Sequence, residues 1–143
     1  MKSHDQQWLS QRTGKFYRLP TDAECKYGTR GRSEASRFPW GDALDPACFG
    51  GEVAPRPAGF YAPNALGLYD MICNVWCWCS ERYEDVSQEI PAVNKPTGKD
   101  TTENRVLRSG SYMTMNLLNL WITYRHEDPP DFRHRSIGSR IAM

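Results

Sequence analysis

Frequent turn-forming residues limit this chain to short elements of secondary structure. Ten prolines and eleven glycines are spread over 143 residues, and these residue types interrupt helices and strands or fix turns. A chain of this length buries most of a single core. The sequence therefore predicts one α+β domain over residues 1–143, with two short helices, short antiparallel strands and much ordered loop.

Two helix signals lie in the first thirty residues. A polar run over residues 3–13 stops at a glycine, which predicts a short helix with a glycine cap. Thr21 is followed three residues later by Glu24, a capping-box pattern, so a second helix is expected from Thr21 to about Arg30. Between the helices, residues 16–19 alternate in polarity and predict a short strand.

The rest of the chain is predicted to be ordered loop with a few strands. Residues 32–63 are rich in Gly, Pro and Asp and predict a long loop with a packed turn at 38–42. The strongest apolar block follows, and its end at 74–78 alternates like a strand. The polar stretch 85–104 is expected to be a surface loop. Two further strands are expected at 105–108 and 137–142.

Charge and hydropathy disfavour two classes of partner. The net charge is +1, with 18 Lys and Arg against 17 Asp and Glu, and gives no electrostatic basis for binding nucleic acid. No apolar stretch approaches the roughly 20 residues that span a bilayer, and the N-terminal residues lack the apolar segment of a secretory signal. A cytoplasmic protein and a protein carried on a phage particle both fit these observations.

Five cysteines cannot all pair within one chain. Without a signal peptide, reduced thiols are favoured over a disulfide framework. Cys73, Cys77 and Cys79 would share one face of a strand, and with His126 or His134 they would supply ligands for a soft metal. Their spacing is not that of a zinc ribbon, however. Small thiols packed beside tryptophans are the favoured interpretation, and no cofactor is expected.

Six segments follow one another in an order typical of a known family. They are YRLPTDAE at 17–24, FPWGD at 38–42, PNALGLYDM at 63–71, NVW with WC at 74–79, RVLRSGSY at 105–112 and IGSR at 137–140. Together they resemble the formylglycine-generating-enzyme (sulfatase-modifying factor) family over nearly the whole chain. The resemblance implies a C-type-lectin-like fold, without the N-terminal part of the full enzyme domain.

Two positions of this pattern disfavour the oxygenase chemistry of the family. Its enzymes bind copper with two cysteines in the segment after GGSY, and the alignment places Thr114 and Asn119 at these positions. Thiolates hold copper(I) because they are soft, whereas a hydroxyl and an amide are hard and neutral. We therefore expect no catalysis. A divergent oxygenase that uses the three clustered cysteines is the alternative, and a degenerate structural relative is a third interpretation.

Some relatives hold calcium near the turn that contains NVW. Asn74 is present here, but Cys77 replaces the acidic residue of the pattern, and Cys73 replaces its glycine. Hard cations require carboxylate and carbonyl oxygens. Calcium is therefore not expected at this turn, and neither cysteine substitution has a physical explanation from the sequence.

The segment 105–140 resembles the variable segment of diversity-generating retroelement proteins, a second branch of the same fold. In those proteins scattered side chains vary on a fixed scaffold. We predict a non-catalytic domain that binds a protein or another macromolecular ligand, because this segment is rich in residue types enriched at interface cores. The predicted binding residues are Tyr112, Met113, Thr114, Met115, Asn119, Trp121, Tyr124, His126, Glu127, Asp128, Phe132, His134, Arg135 and Ser136.

A binding surface on this segment requires that several of its side chains be exposed to solvent. Leu120 and Ile122 are expected in the core, and Arg125 is expected to make structural hydrogen bonds. Exposed methionine and leucine side chains would equally suit an interface between copies of the chain. Exposed side chains are expected at Tyr112, Met113, Met115, Trp121 and Phe132.

Overall fold

The computed structural model describes residues 3–32, 36–43, 53–84 and 104–143, and these ranges contain two helices and four short strands. No helix within them is long and apolar enough to span a bilayer. Almost all of the surface loop expected at 85–104 lies outside the described residues. The helices are α1 (Ser3–Thr13) and α2 (Asp22–Arg30), and the strands are β1 (Trp76–Arg82), β2 (Arg105–Arg108), β3 (His126–Asp128) and β4 (Ile137–Ser139).

Both predicted helices are confirmed, and their ends follow from local chemistry. The Thr21 hydroxyl accepts the Glu24 N–H at 3.1 Å, and the Glu24 carboxylate accepts the Thr21 N–H at 2.8 Å. This reciprocal pair satisfies two N–H groups that the first turn of α2 leaves free. At the other end, Gly31 adopts φ +64° and donates its N–H to the Tyr27 carbonyl at 3.1 Å. Gly14, at φ +69°, ends α1 in the same way.

The sheet has the order β3-β2-β1-β4, and its strands are not all antiparallel. β2 pairs antiparallel with both β1 and β3, whereas β4 pairs parallel with β1, with Trp76 opposite Ile137. The expectation of purely antiparallel strands is therefore wrong for β4. The reason is the connection 129–136, which carries the chain from one edge of the sheet to the other before β4 begins.

The two faces of β1 carry different cores. Trp76 and Trp78 pack with Leu107 on one face. On the other, Cys79 packs with Val106 of β2 and Cys25 of α2. This alternation is the period-2 pattern of a strand buried on both faces. The strand begins at Trp76 and continues to Arg82, so it lies further along the chain than the predicted 74–78.

Other predicted elements differ from the structure in length. Residues 16–19 form one bridge rather than a strand, in which Arg18 and Ala142 exchange backbone hydrogen bonds of 3.0 and 2.9 Å. The predicted packed turn at 38–42 is confirmed: Phe38 is buried and exchanges two backbone hydrogen bonds of 3.1 Å with Gly41. β3 has the sequence HED, and no hydrophobic alternation marks it, so it was not predicted.

Candidate functional site

Thr114 and Asn119, at the family's two cysteine positions, lie in closely packed surroundings. The Thr114 side chain is buried, and its hydroxyl accepts the Ser111 N–H at 2.9 Å. The Thr114 N–H in turn donates to the Ser111 carbonyl at 2.9 Å. The hydroxyl therefore closes a local turn, in the manner of Ser and Thr side chains that bond to nearby backbone.

One glycine brings these two positions together. Gly110 has φ +62°, and a Cβ placed on it would lie 2.6 Å from Leu120 Cδ2. The same Cβ would lie 3.2 Å from the Asn119 carbonyl oxygen and 3.5 Å from the Thr114 hydroxyl. The two positions where the family pattern has cysteine thus both lie close to the backbone of Gly110. They offer an engaged hydroxyl and a half-buried amide side chain, neither of which is a soft ligand.

The clustered cysteines are not brought together as expected. Cys73 precedes β1 and packs with Phe38 and Ile72 in one buried cluster. Cys79, within β1, packs with Cys25 in a different buried cluster. The expectation of three thiols on one strand face is wrong for Cys73, because the backbone turns there with φ +88°. In the described ranges no three His, Cys, Asp or Glu residues form a group suited to a metal.

The predicted histidine ligands have other contacts. His126 packs its ring against Trp76, with centroids 5.1 Å apart. His134 Nδ1 lies 2.6 Å from the Ser136 hydroxyl, and its ring stacks with Phe132. Neither histidine therefore joins the thiols of β1 in a metal site formed by the described residues.

The Asn74 amide is also occupied by backbone partners. Its Oδ1 accepts the Arg56 N–H at 3.1 Å, and its Nδ2 donates to the Arg56 carbonyl at 3.0 Å. Its own carbonyl accepts the Tyr112 N–H at 2.9 Å. Asn74 thus joins the loop before β1 to the turn after β2. The amide that the family pattern associates with calcium has a structural role in this chain.

Three of the predicted binding residues are buried. Tyr112 is 2% exposed, so the expectation of its exposure is wrong. Its backbone N–H donates to the Asn74 carbonyl at 2.9 Å. Thr114 and Ser136 are buried as well, the latter with its carbonyl accepting the Trp76 N–H at 2.8 Å. These side chains support the segment rather than face solvent.

Residues 113–118, named here the apolar loop, carry exposed hydrophobic side chains. Met113 is 38% exposed and Met115 73%, and Leu117 and Leu118 are also exposed. The exposure expected of Met113 and Met115 is therefore confirmed. Large exposed apolar patches are unusual on a monomer surface and mark interaction sites, so four exposed apolar side chains in one loop make it a candidate binding surface.

The apolar loop has a fixed base. Residues 117–120 form a 3₁₀ turn, and the Asn116 side chain caps it by accepting the Leu118 N–H at 3.0 Å. Leu120 is fully buried at the other end of the turn, and Ile122 follows it in the core, as expected. Trp121 is half-buried and packs against the same core cluster, so the exposure expected of it is not found. The exposed side chains are therefore held by a capped turn with a buried anchor.

The later residues of the segment divide between solvent and the sheet. Phe132 is exposed, as expected, and His134 and Arg135 are exposed beside it. Tyr124 is half-buried against Trp76, with ring centroids 6.0 Å apart. Three half-buried residues, His126, Glu127 and Asp128, form the edge strand β3.

A charged network that the sequence did not reveal positions the start of β3. The Asp22 carboxylate of α2 binds two guanidinium groups, one from buried Arg108 and one from Arg125 at 3.0 Å. Arg108 also donates to the carbonyls of Ile122 and Tyr124 at 3.1 and 2.8 Å. Arg125 also donates to the Glu84 carbonyl at 2.7 Å, which is a structural hydrogen bond of the kind expected of it. α2, β2 and the segment 122–125 are joined through these side chains.

A cavity of about 400 Å³ is a second feature that the sequence did not reveal. Its walls include Trp40, Phe60 and Leu68. Asp70 also lines it, but its carboxylate accepts backbone N–H groups of Gly59 and Tyr61 at 2.6 and 3.2 Å. Its size falls within the usual range of small-molecule pockets, and its lining is mainly aromatic and aliphatic.

The order of elements and the strand pairing define an α+β domain of the C-type-lectin-like class. Residues 6–143 match the sulfatase-modifying factor enzyme 1-like domain, and the chain belongs to that family. It is 33% identical over 145 residues to a formylglycine-generating enzyme from Streptomyces coelicolor, covering 87% of this chain and 46% of the relative. The chain thus spans less than half the length of that relative.

Two solved structures share this fold. PvdO from Pseudomonas aeruginosa superposes with a TM-score of 0.76 at 28% identity, covering 96% of this chain and 56% of PvdO. Variable protein 1 from Treponema denticola superposes with a TM-score of 0.67 at 23% identity, covering 87% of this chain and 46% of that protein. The second similarity concerns the fold alone. The family and fold class predicted from the sequence are confirmed.

Proposed function

We propose that this chain is a non-catalytic binding domain that recognises a protein or other macromolecular ligand through the apolar loop. The observation that carries the proposal is the exposure of four large apolar side chains within six consecutive residues. Methionine and leucine are deformable or large contact residues, and Met-rich surfaces are typical of binding sites. Phe132, His134 and Arg135 would extend the surface with an aromatic and a cationic group.

Rigidity of the base supports a recognition role. A surface binds more tightly when its contact residues are already ordered, because less conformational entropy is lost on association. Here Leu120 is fully buried, the Asn116 cap fixes the 3₁₀ turn, and Thr114 closes the turn before it. An exposed loop on a fixed scaffold would suit a retroelement variable protein. A near-copy of codons 105–140 beside the gene, differing mainly at adenines, would support that narrower assignment.

The alternative is a divergent enzyme, and the named activity of the Streptomyces relative favours it. Such an enzyme would require thiols elsewhere in the chain, because positions 114 and 119 carry threonine and asparagine. Metal analysis of the purified protein after loading with copper(I), combined with a thiol titration, separates the two functions. Stoichiometric copper held by cysteine, together with oxygen-dependent turnover of a cysteine-containing peptide, would contradict the binding-only proposal.

Site-specific photo-crosslinking tests the proposed surface directly. A photoreactive residue replaces Met115 in one variant and Val53, which is 85% exposed, in a control. In lysate of the source cells, we expect a discrete adduct from position 115 only. Excess unlabelled wild-type protein should compete it away, whereas a Met115→Glu/Leu118→Glu competitor should not. Equal adducts from both positions, or equal competition by the charged variant, would contradict the proposal. An adduct of the chain with itself would identify a subunit interface.

A further inference from the structure

Two buried thiols that are distant in sequence lie in contact. Cys25 is on α2 and Cys79 is on β1, and their Sγ atoms are 3.4 Å apart. The residues are 4% and 1% exposed and pack with Val106. The contact joins the helix to the central strand of the sheet. Nothing in the binding function proposed above uses it.

We propose that Cys25 and Cys79 are a redox-active dithiol that oxidises reversibly to a disulfide between α2 and β1. A disulfide has an S–S length of about 2.0 Å, so the sulfur atoms, now 3.4 Å apart, approach by about 1.4 Å. A displacement of this size is within reach of small side-chain rotations. The thiols need no unfolding of either element to meet.

Hydrogen peroxide is the class of oxidant that suits such a buried pair, because it is small. Cys25 loses its proton, and its thiolate attacks one peroxide oxygen. The O–O bond breaks, Cys25 becomes a sulfenic acid, and the leaving hydroxide takes up the proton and is released as water. The Cys79 thiol then attacks the Cys25 sulfur, forms the S–S bond and releases a second water. Overall, two thiols and one peroxide give one disulfide and two waters. A dithiol reductant such as dithiothreitol reverses the reaction by exchange.

The surroundings distinguish the roles of the two sulfurs. The hydrogen bond from Cys79 lowers the pKa of Cys25, and the same contact together with burial raises the pKa of Cys79. Cys25 is therefore the thiol that ionises first and attacks the peroxide. Burial raises the pKa of Cys77, the next cysteine on the same strand, which keeps it protonated.

The disulfide would also change stability. It would link residues 54 positions apart in the sequence, and closing a long loop removes conformational freedom from the unfolded chain. The midpoint of urea unfolding should rise by roughly 1–2 M on oxidation, given the usual urea dependence for a domain of this size. Reduction should return the midpoint to its original value.

Peroxide titration of the full native chain tests the proposal. After quenching of remaining thiols with an alkylating reagent, we expect an intact mass that is lower by the mass of two alkyl groups than that of the reduced, fully alkylated chain. Peptide mapping without reductant should locate the link between Cys25 and Cys79. A link that joins either residue to another cysteine, or direct conversion of Cys25 to sulfinic acid, would overturn the proposal.

Variants supply the matched control. Cys25→Ser and Cys79→Ser should each abolish the disulfide and the rise in urea midpoint, whereas Cys73→Ser should retain both. The mapping on wild-type protein does not depend on whether the variants fold. If all three variants form a disulfide at the wild-type rate, or none does, the pair is not the reactive dithiol. Conversion of the wild-type chain that dithiothreitol fails to reverse would also contradict it.

Discussion

Cys73 donates its backbone N–H to the Ser109 carbonyl at 3.0 Å, and the two residues have nearly the same positive φ, +88° and +89°. Residues other than glycine rarely adopt this region, because their Cβ crowds the backbone. Both positions are glycine in the family pattern that the chain resembles. Cysteine at position 73, which the sequence did not explain, is thus a strained replacement for glycine.

Restoring glycine at position 109, which is half-buried, should therefore stabilise the protein. Ser109→Gly is expected to raise the free energy of unfolding by about 0.5–1 kcal/mol, since relief of strain exceeds the added freedom of the unfolded chain. Urea denaturation measures the change. Ser111→Gly is the control, because Ser111 has no positive φ and its hydroxyl accepts the Met113 N–H, so this variant should lose stability. Equal effects of both variants would refute the strain argument.

Gly110 should tolerate no side chain. Gly110→Ala would place a Cβ 2.6 Å from Leu120 Cδ2 and 3.2 Å from a backbone oxygen, at φ +62°. We expect a loss of about 2–4 kcal/mol in the free energy of unfolding, from steric overlap added to backbone strain. Gly14→Ala is the matched control, because Gly14 has φ +69° and nothing lies within 4 Å of its Cβ position. It should lose only about 1 kcal/mol. Similar losses for the two variants would show that packing around Gly110 is loose.

Features set by neighbouring residues could be predicted from the sequence, and features set by distant residues could not. The capping box of Thr21 and Glu24 lies within one turn, so its helix was predicted almost to the residue. β3 has three polar residues and exists because β2 offers it a free edge. Likewise, Arg108 meets Asp22 across 86 positions of sequence. Such contacts depend on tertiary packing, and the sequence around each partner carries no periodic pattern that would predict them.

In the candidate site, too, some features could be predicted from the sequence and others depended on distant residues. Exposure of Met113 and Met115 was expected because the segment resembles the variable segment of retroelement proteins and is rich in interface residue types. Tyr112 was expected to be exposed because aromatic residues suit both a core and an interface, and its composition alone could not decide between them. In the structure the residue is 2% exposed and belongs to the core. The positive φ at positions 73 and 109 could nevertheless have been predicted, because glycine in a family pattern marks backbone that favours positive φ.

The capping box should give the protein a defined acid sensitivity. Hydrogen bonds from Arg18 and from the Thr21 N–H hold the pKa of Glu24 at about 2, below its ordinary value of 4.5. A carboxyl whose pKa is lowered in the folded state contributes stability that is complete above the unfolded value and lost as pH falls towards the folded value. The thermal midpoint of wild type should therefore exceed that of Glu24→Gln above about pH 5, and the difference should shrink towards about pH 2.

Arg18→Ala provides the control for this titration. Without the guanidinium, the pKa of Glu24 should rise towards its ordinary value, so the total loss of stability on acidification should be smaller than in wild type and should be complete at a higher pH. Thermal unfolding across a pH series measures both variants. A difference between wild type and Glu24→Gln that stays constant from about pH 7 to about pH 2.5 would mean that the carboxylate charge has no role at the cap.

The Asp22 carboxylate should be far more important than an exposed carboxylate with the same kind of partner. It neutralises two guanidinium groups, and the Arg108 side chain is only 6% exposed. Asp22→Asn keeps the shape but leaves buried positive charge uncompensated, so we expect a loss of about 2–4 kcal/mol in the free energy of unfolding. Asp42→Asn is the matched control, because Asp42 and its partner Arg37 are both more than half exposed. Its loss should stay within about 0.5 kcal/mol.

The same pair of variants separates stability from recognition. Arg108 binds the carbonyls of Ile122 and Tyr124, so loss of Asp22 should loosen the segment that follows the apolar loop as well as α2. Hydrogen exchange should therefore accelerate at residues 122–128 in Asp22→Asn, and remain unchanged there in Asp42→Asn. If exchange accelerates only within α2, the carboxylate stabilises the helix alone, and the ordering of the segment must come from its packing on Trp76.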